Sequence, residues 1–530
     1  MTTPDTTDDH HLRSVTSMLR HWAAVQPDAP MLTCGTDTVS WSGLYERAVR
    51  VATALARSGA RPGDRVAFLD RNCIEYFEVF FGCALLGAVI VPVNWRLAPL
   101  EMGAVVDDAG AAVLIHGPDF DEALAIIRDQ APTVDTCVSL AGFAAWRDAG
   151  AADPAGDPGF EPGPGDVVTQ MYTSGTTGLP KGVMISGRNM AAILDGAVEK
   201  YRVGPDTVSM VAMPLFHIGG TGWALAGMSR GGYSVILRDV DPDEVLRVIE
   251  ERAVTSAFVV PAVLMMLLAS ARIDSTDVSS LQTIFYGASP ISEDVLVRSM
   301  QALGCDFAQV YGLTETTGAI TTLAPEDHDP HGARSHLLRS AGRPLSYVEL
   351  RIIDSVTGEA LPAGAVGELT ARSDQTMLGY WQKPAETAAV LSEDGWFRTG
   401  DAGWLSDDGY LFLHDRIKDM IVSGGENVYP AEVENALLSH PGVADAAVFG
   451  VPDDRWGETV KAVLVRATGA GADDEALASD ILAATRGRLA HYKCPTSIDF
   501  VEVLPRNPSG KVLKRELRAP YWEGRGRNIS

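Results

Sequence analysis

Between Tyr172 and Gly182 the chain carries hydroxyls on Thr173, Ser174, Thr176 and Thr177, open backbone at Gly175 and Gly178, and one ammonium on Lys181. Backbone N–H groups and hydroxyl donors around a single cation suit a polyphosphate. The order is not that of a Walker loop, which needs Gly-Lys-Ser/Thr, because Gly182 follows Lys181. A flexible Ser/Thr/Gly linker is the bland reading of such a run. The Pro180-Lys181-Gly182 ending, followed at once by an apolar strand-like run, argues against it. Three more segments, Met213 to His217, Tyr286 to Ser289 and Tyr311 to Glu315, each begin where a predicted strand ends. Open α/β sheets bind ligands at that edge. Glu315 offers an oxygen ligand for the Mg²⁺ that accompanies nucleotide phosphates, and Tyr311 a flat face for a base. Alone, either would be read as a surface carboxylate or a core aromatic; together in one segment they point to a nucleotide.

The elements that must position these residues are legible from periodicity. From about residue 60, short β-branched runs alternate with helical ones: Val66 to Leu69, Ile74 to Leu86, Val89 to Val93, Ala112 to Ile115. After a Gly/Pro/Asp-rich stretch at Ala151 to Asp166 come candidate strands at Ser209 to Met213, Tyr233 to Leu237, Ser256 to Val260, Leu281 to Tyr286 and Phe307 to Tyr311. A helix is predicted over Asp241 to Glu250, where Asp precedes Pro at the first turn. The expected body is a large N-terminal α/β domain of parallel sheets. Past about residue 345 Gly-punctuated short strands suggest a small, more antiparallel, barrel-like part. After it come a helix at 431–439, strands at 446–451 and 460–465 and a helix at 474–489, so a small mobile α+β domain is expected. Boundaries are drawn at 1–416 and 417–530, with Lys418 at the hinge.

Composition bounds the rest. The 43 Lys+Arg against 69 Asp+Glu give a net charge of −26, too acidic for a general nucleic-acid binder. The longest apolar stretches, Phe81 to Val93 and Ala257 to Ala269, are shorter than the roughly 20 residues a membrane span needs and are read as buried core. The first ten residues lack a basic and an apolar region, so no signal peptide and a cytoplasmic location are expected. Six scattered cysteines show no metal or C-x-x-C spacing and are read as reduced thiols. A homodimer is an expected assembly, dimers being common among symmetric soluble proteins.

With the motifs Tyr172 to Gly182, Met213 to His217, Tyr311 to Glu315, Trp396 to Asp401, Asp415 to Asp419, Ser423 to Pro430 and Pro505 to Lys511, the chain resembles the adenylate-forming superfamily over nearly its whole length, in the acyl-CoA synthetase branch. It departs at Gly187, where many relatives carry His. The resemblance implies that Asp401 and Arg416 meet the ribose, that Gly287, Ala288 and Ser289 lie along adenine with Tyr311 stacked on it, and that Gly312, Thr314 and Glu315 serve phosphate and Mg²⁺. It makes Lys511, Glu315, Thr173 and Lys181 the catalytic set, Lys511 offsetting charge at the α-phosphate. It gives Ser423, Gly424, Gly425 and Glu426 to the passage of pantetheine. His217, Trp223 and Tyr286 are the expected acyl-pocket residues, the two rings because both lie beside strand-end motifs. Peptide-synthetase relatives place an Asp just after the aromatic of the Met213 to His217 segment; here stand His217, Ile218 and Gly219, in apolar surroundings that suit an uncharged acyl tail. The expected activity is therefore an acyl-CoA ligase: ATP, Mg²⁺ and a carboxylic acid give an acyl-adenylate and pyrophosphate, and CoA then takes the acyl group. An acyl carrier protein is the alternative acceptor; firefly-type oxidation and a non-catalytic acyl or nucleotide sensor are the remoter readings.

Overall fold

Asp241 shows how local chemistry sets the elements. Its carboxylate accepts from the N–H groups of Asp243 and Glu244, both at 3.0 Å, and Pro242 fills the first turn, so the helix Pro242–Arg252 starts where the sequence predicts. The computed structural model describes residues 13–149, 156–173, 180–289, 291–416, 419, 421–423, 426–453, 457–469, 473–486, 488–506 and 512–523. Two compact units divide the chain: 1–291, 295–349 and 371–397 form the first, and 292–294, 350–370 and 398–530 the second.

The first unit holds two sheets. In one, Asp306–Leu313, Thr283–Gly287, Ser256–Val259, Val208–Val211, Tyr233–Ile236 and Pro30–Cys34 lie side by side and parallel, with antiparallel strands at either end. The five strands predicted for this sheet from residue 209 onward are all present, with ends shifted by one or two residues. In the other, Val167–Thr173, Val89–Pro92, Arg65–Leu69, Val113–His116 and Thr136–Ser139 are parallel, and Lys181–Ser186 and Gly379–Tyr380 extend it antiparallel. The largest core takes residues from both sheets, among them Phe68, Ile90, Val211 and Phe285. It also takes the helices Ile74–Leu86 and Ile218–Ser229, apolar on nearly every face because they are buried on nearly every face.

The run Phe81 to Val93 is core as expected, broken by Gly87, whose φ of +82° ends one helix and lets Val89–Pro92 begin a strand. The second run departs from expectation. Ala257 to Ala269 comprises the end of a buried strand and the helix Pro261–Ala269, which leaves Met265 and Met266 exposed because only one of its faces meets the core. No helix among the described residues is long and apolar enough to cross a membrane. All six cysteines are free; Cys73, Cys83 and Cys494 are buried and the others half-buried.

The second unit contains the Gly-punctuated strands, ordered Glu349–Ile353, Gly367–Arg372, Phe397–Leu405, Leu411–Arg416 in a four-stranded sheet. Its other sheet is built on the long antiparallel pair Val443–Asp453 and Gly457–Arg466, with Ser497–Val501 added in parallel. Pro430–Leu438 and Asp474–Arg486 cover it, and Val433, Leu437, Val448, Leu464 and Ile481 form its core. This is the α+β pattern read from the sequence.

Candidate active site

Thr173 and Lys181 end two neighbouring strands. Val167–Thr173 and Lys181–Ser186 are antiparallel, with Thr173 opposite Lys181 and Tyr172 opposite Gly182, so the residues at the two ends of the hydroxyl- and glycine-rich run are paired strand partners. Ser174, Gly175, Thr176, Thr177 and Gly178 lie outside the described residues. The Lys181 ammonium stands 4.9 Å from the centre of the Tyr380 ring, a cation–π distance. The Tyr380 hydroxyl donates to Glu315 Oε1 at 3.0 Å. Tyr380 reaches this place by strand pairing: it sits opposite Val183, and the Trp381 N–H donates to the Gly182 carbonyl at 2.7 Å. One aromatic residue thus joins a cation and a carboxylate that come from distant motifs.

Glu315 lies in the connection between Asp306–Leu313 and Gly318–Leu323. That turn is tightly held. Thr316 Oγ1 accepts from the Leu313 N–H at 2.9 Å, and the Thr317 N–H donates to the Thr314 carbonyl at 2.9 Å. Gln375, fully buried, donates to the carbonyls of Thr316 (3.0 Å) and Ala319 (3.1 Å), and its own carbonyl accepts from the Thr317 hydroxyl at 2.6 Å. The Met377 N–H donates to the Glu315 carbonyl at 2.9 Å. Asn189 in turn donates to the carbonyls of Asp374 (2.7 Å) and Thr376 (2.8 Å). Neither Gln375, Asn189 nor Tyr380 is singled out by the sequence reading. Their partners lie far along the chain, and the two-residue strand Gly379–Tyr380 is too short to leave a periodic signal.

Gly312 belongs to the same construction: a Cβ there would lie 2.0 Å from the Gly318 carbonyl oxygen, so the hairpin closes only on glycine. Gly187 is equally forced. A Cβ would meet the Gly163 carbonyl oxygen at 2.4 Å, which leaves no room for any side chain.

The parallel order brings the ends of Val208–Val211, Thr283–Gly287 and Asp306–Leu313 to one edge, and with them the segments Met213–His217, Tyr286–Ser289 and Tyr311–Glu315. Tyr311 and Gly312 are still in strand, opposite Thr321 and Ala319. Ala288 has φ +64°, a left-handed conformation that L residues seldom adopt. His217 is the N-cap residue of the helix Ile218–Ser229, and its Nε2 is buried with no hydrogen-bond partner among the described residues. Burial, with repulsion from Arg96, lowers its pKa from 6.5 to about 4, so the ring is neutral at pH 7.

Trp223 and Tyr286 are placed in packed interior. The Trp223 indole donates to the Met210 carbonyl at 2.9 Å and stands edge-on to Tyr201 at 5.1 Å. The Tyr286 hydroxyl lies 3.0 Å from His328 Nε2, while His328 Nδ1 lies 2.9 Å from the Ala324 carbonyl. Nδ1 must carry the proton to bond that carbonyl, so Nε2 accepts from Tyr286.

In the second unit Asp401 lies opposite Arg416 in the antiparallel pair of Phe397–Leu405 and Leu411–Arg416, and its N–H donates to Thr399 Oγ1 at 3.1 Å. Ser423 pairs with Glu426 and with Gly457. Lys418, Gly424, Gly425 and Lys511, and the side chains of Arg416 and Glu426, lie outside the described residues. The ends of the Lys511 segment are fixed all the same: Arg506 bridges Val512 antiparallel, and the Leu513 N–H donates to the Pro505 carbonyl at 2.8 Å.

Among the described residues no group of three His, Cys, Asp or Glu side chains could hold a metal ion. A Mg²⁺ ion that keeps its waters and binds through one carboxylate plus substrate phosphates needs no such group, and Glu315, whose carboxylate accepts from Tyr380, is the kind of single carboxylate that fits it.

Comparison with known proteins agrees with this geometry. The AMP-binding enzyme family model matches residues 19–381, and the AMP-binding enzyme C-terminal domain matches 432–511. A fatty acid–[acyl-carrier-protein] ligase, ScoC, of Streptomyces coeruleorubidus is 40% identical over 98% of this chain and 99% of its own. A feruloyl-CoA synthase of an Amycolatopsis species is 39% identical over 94% and 97%. Among solved structures, the amide bond synthetase McbA of Marinactinospora thermotolerans superposes with a TM-score of 0.85 at 32% identity, covering 96% of this chain and 100% of that one. Family models that match both parts of the chain, with relatives aligned over nearly all of it, make this protein a member of the AMP-binding enzyme family, in its acyl-CoA synthetase branch.

Proposed function

We propose that this chain is an ATP-dependent acyl-CoA ligase, an AMP-forming acid–thiol ligase that activates a carboxylic acid of the fatty-acid type and passes it to CoA. The observation that carries the reading is the Lys181–Tyr380–Glu315 cluster at the open end of the Thr173–Lys181 hairpin. It sets one cation and one anion side by side where a triphosphate and its metal need both. Thr173 and Lys181 hold the phosphates. Gly287, Ala288, Ser289 and Tyr311 bound the adenine, Thr314 faces the phosphates, and Asp401 with Arg416 accepts and orders the ribose hydroxyls. Mg²⁺, held by Glu315 and the nucleotide's own oxygens, would neutralise charge on the leaving pyrophosphate.

In the first half-reaction a carboxylate oxygen attacks the α-phosphorus and the bond to pyrophosphate breaks; Lys511 offsets the charge that grows there. In the second the CoA sulfur attacks the acyl carbon, its proton is lost, and AMP departs. Positioning and charge do the work, so no protein nucleophile is required. The neutral ring of His217 and the apolar helix behind it suit an uncharged acyl group, and Ser423 to Glu426 admit the pantetheine. The same reading proposes a functional boundary between 416 and 417, with Lys418 as pivot. A reduced, cytoplasmic setting fits the six free thiols, and a homodimer is the proposed assembly.

A second acceptor has a specific observation behind it: the relative at 40% identity is named for loading an acyl carrier protein. The deciding experiment is a panel of carboxylic acids with ATP and Mg²⁺, read as pyrophosphate release, with CoA, with a phosphopantetheinylated carrier protein, and with neither. Turnover with CoA gives the reading above. Adenylate that accumulates with CoA but discharges with the carrier protein gives the second. No pyrophosphate with any acid removes both.

A further inference from the structure

Three backbone groups of the stretch between Val208–Val211 and the helix Ile218–Ser229 are held by buried side chains rather than by either sheet. Asn72, 4% exposed, stands just before the helix Ile74–Leu86. Its Nδ2 donates to the carbonyls of Met213 and Leu237, both at 3.1 Å, and its Oδ1 accepts from the Leu215 N–H at 2.9 Å. The Leu215 carbonyl accepts from the Thr221 hydroxyl at 2.7 Å. Tyr76, also buried, lies 2.7 Å from Thr221 Oγ1. Thr221 has one proton and spends it on Leu215, so Tyr76 is the donor and every member of the chain is satisfied.

The arrangement has direction as well as affinity. Asn72 and Tyr76 follow the strand Arg65–Leu69 of one sheet, whereas Met213 and Leu237 follow strands of the other, so the network ties loops of two sheets at a single point. An apolar contact in this place would hold the loop without fixing its rotation. An amide with two donors and one acceptor fixes both the Met213 carbonyl and the Leu215 N–H. Two residues on, the segment presents His217, whose Nε2 is buried and has no hydrogen-bond partner among the described residues. A misplacement of about 1 Å at such a segment is enough to cost two orders of magnitude in rate.

We propose that Asn72, supported by Tyr76 and Thr221, is a positioning residue that fixes the acyl-binding segment Met213–His217 and thereby sets which carboxylic acids are accepted. This rests on the acyl-ligase reading above. The test is ATP–pyrophosphate exchange by the full chain, with KM measured separately for acid and for ATP, in the wild type, Asn72→Asp and Tyr76→Phe. Asn72→Asp keeps the size and the acceptor and loses both donors; Tyr76→Phe loses one hydroxyl. The expected result is an acid KM raised about tenfold in Asn72→Asp and less in Tyr76→Phe, with the ATP KM within about twofold and the rank order of acids altered. Acid and ATP KM rising together, or a lowered thermal midpoint with unchanged acid KM, would return the network to a purely structural role. If Asn72→Asp does not fold, Tyr76→Phe decides by the same two readings. A wild type that exchanges pyrophosphate with no acid at all would overturn the ligase reading itself, which is a separate outcome.

Discussion

Tyr380 carries two tasks in one side chain: its ring faces the Lys181 ammonium and its hydroxyl holds the Glu315 carboxylate. Tyr380→Phe separates them, keeping the ring. A hydrogen bond to a charged group is worth about 1.5–3 kcal/mol, so the Mg²⁺ concentration for half-maximal pyrophosphate exchange should rise about tenfold. A Mg²⁺ titration with nucleotide binding as a second readout checks this, and an unchanged midpoint would mean that Glu315 needs no such support. Lys181 and Glu315 were legible because each sits inside a motif. Tyr380 was not, because it is 65 residues from Glu315 and is delivered by a two-residue strand with no periodicity to read. His217 gives a pH test. Its folded pKa of about 4 lies below the 6.5 of the free side chain. The unfolded chain therefore takes up a proton that the folded one refuses across that window, and stability present above pH 6.5 falls as the pH drops toward 4. His217→Asn should flatten that part of the thermal midpoint's pH dependence; an unaltered slope would assign it to other groups.

Strand order gathers the motifs, and strand ends set their geometry. The sequence placed the strands from Val208 to Leu313 well, since alternating apolar runs between turn residues are a local signal. It did not foresee that Gly312 and Leu313 remain in strand, paired antiparallel with Gly318–Leu323 across a turn that Gln375 clamps from far along the chain. Nor did it foresee the backbone of Ala288, whose φ of +64° comes directly after the end of Thr283–Gly287. That conformation costs an L residue about 1–2 kcal/mol. Ala288→Gly should change stability by less than about 1 kcal/mol, since glycine's own entropy offsets the relief. Ala288→Val should lose about 2 kcal/mol or more, a β-branched residue being least at ease there. Denaturant midpoints separate the two, and equal losses would mean that packing rather than backbone governs the position.

At the scale of the whole chain, proteins aligned along nearly all of its length bear names that differ in what receives or joins the acyl group: an acyl carrier protein, CoA, an amide bond. A fold of this kind fixes the activation step and leaves the acceptor to local detail. The two-step assignment itself can be tested on the entire protein. Lys511→Ala should abolish pyrophosphate exchange yet spare thioester formation from supplied acyl-adenylate, as measured by acyl-thiol product; equal loss of both steps would contradict it. The placement of the cysteines bears on a hazard peculiar to such chemistry. An acyl-adenylate is a mixed anhydride that will acylate any sulfur anion it meets. Burial pushes the thiols of Cys34 and Cys305 up to about 11 and about 12, and raises those of Cys73, Cys83, Cys137 and Cys494 as well. The thiolate, not the thiol, is the nucleophile. At neutral pH the protein thus brings almost no sulfur nucleophile of its own to compete with the incoming thiol, and chemoselectivity is secured by where the chain keeps its cysteines.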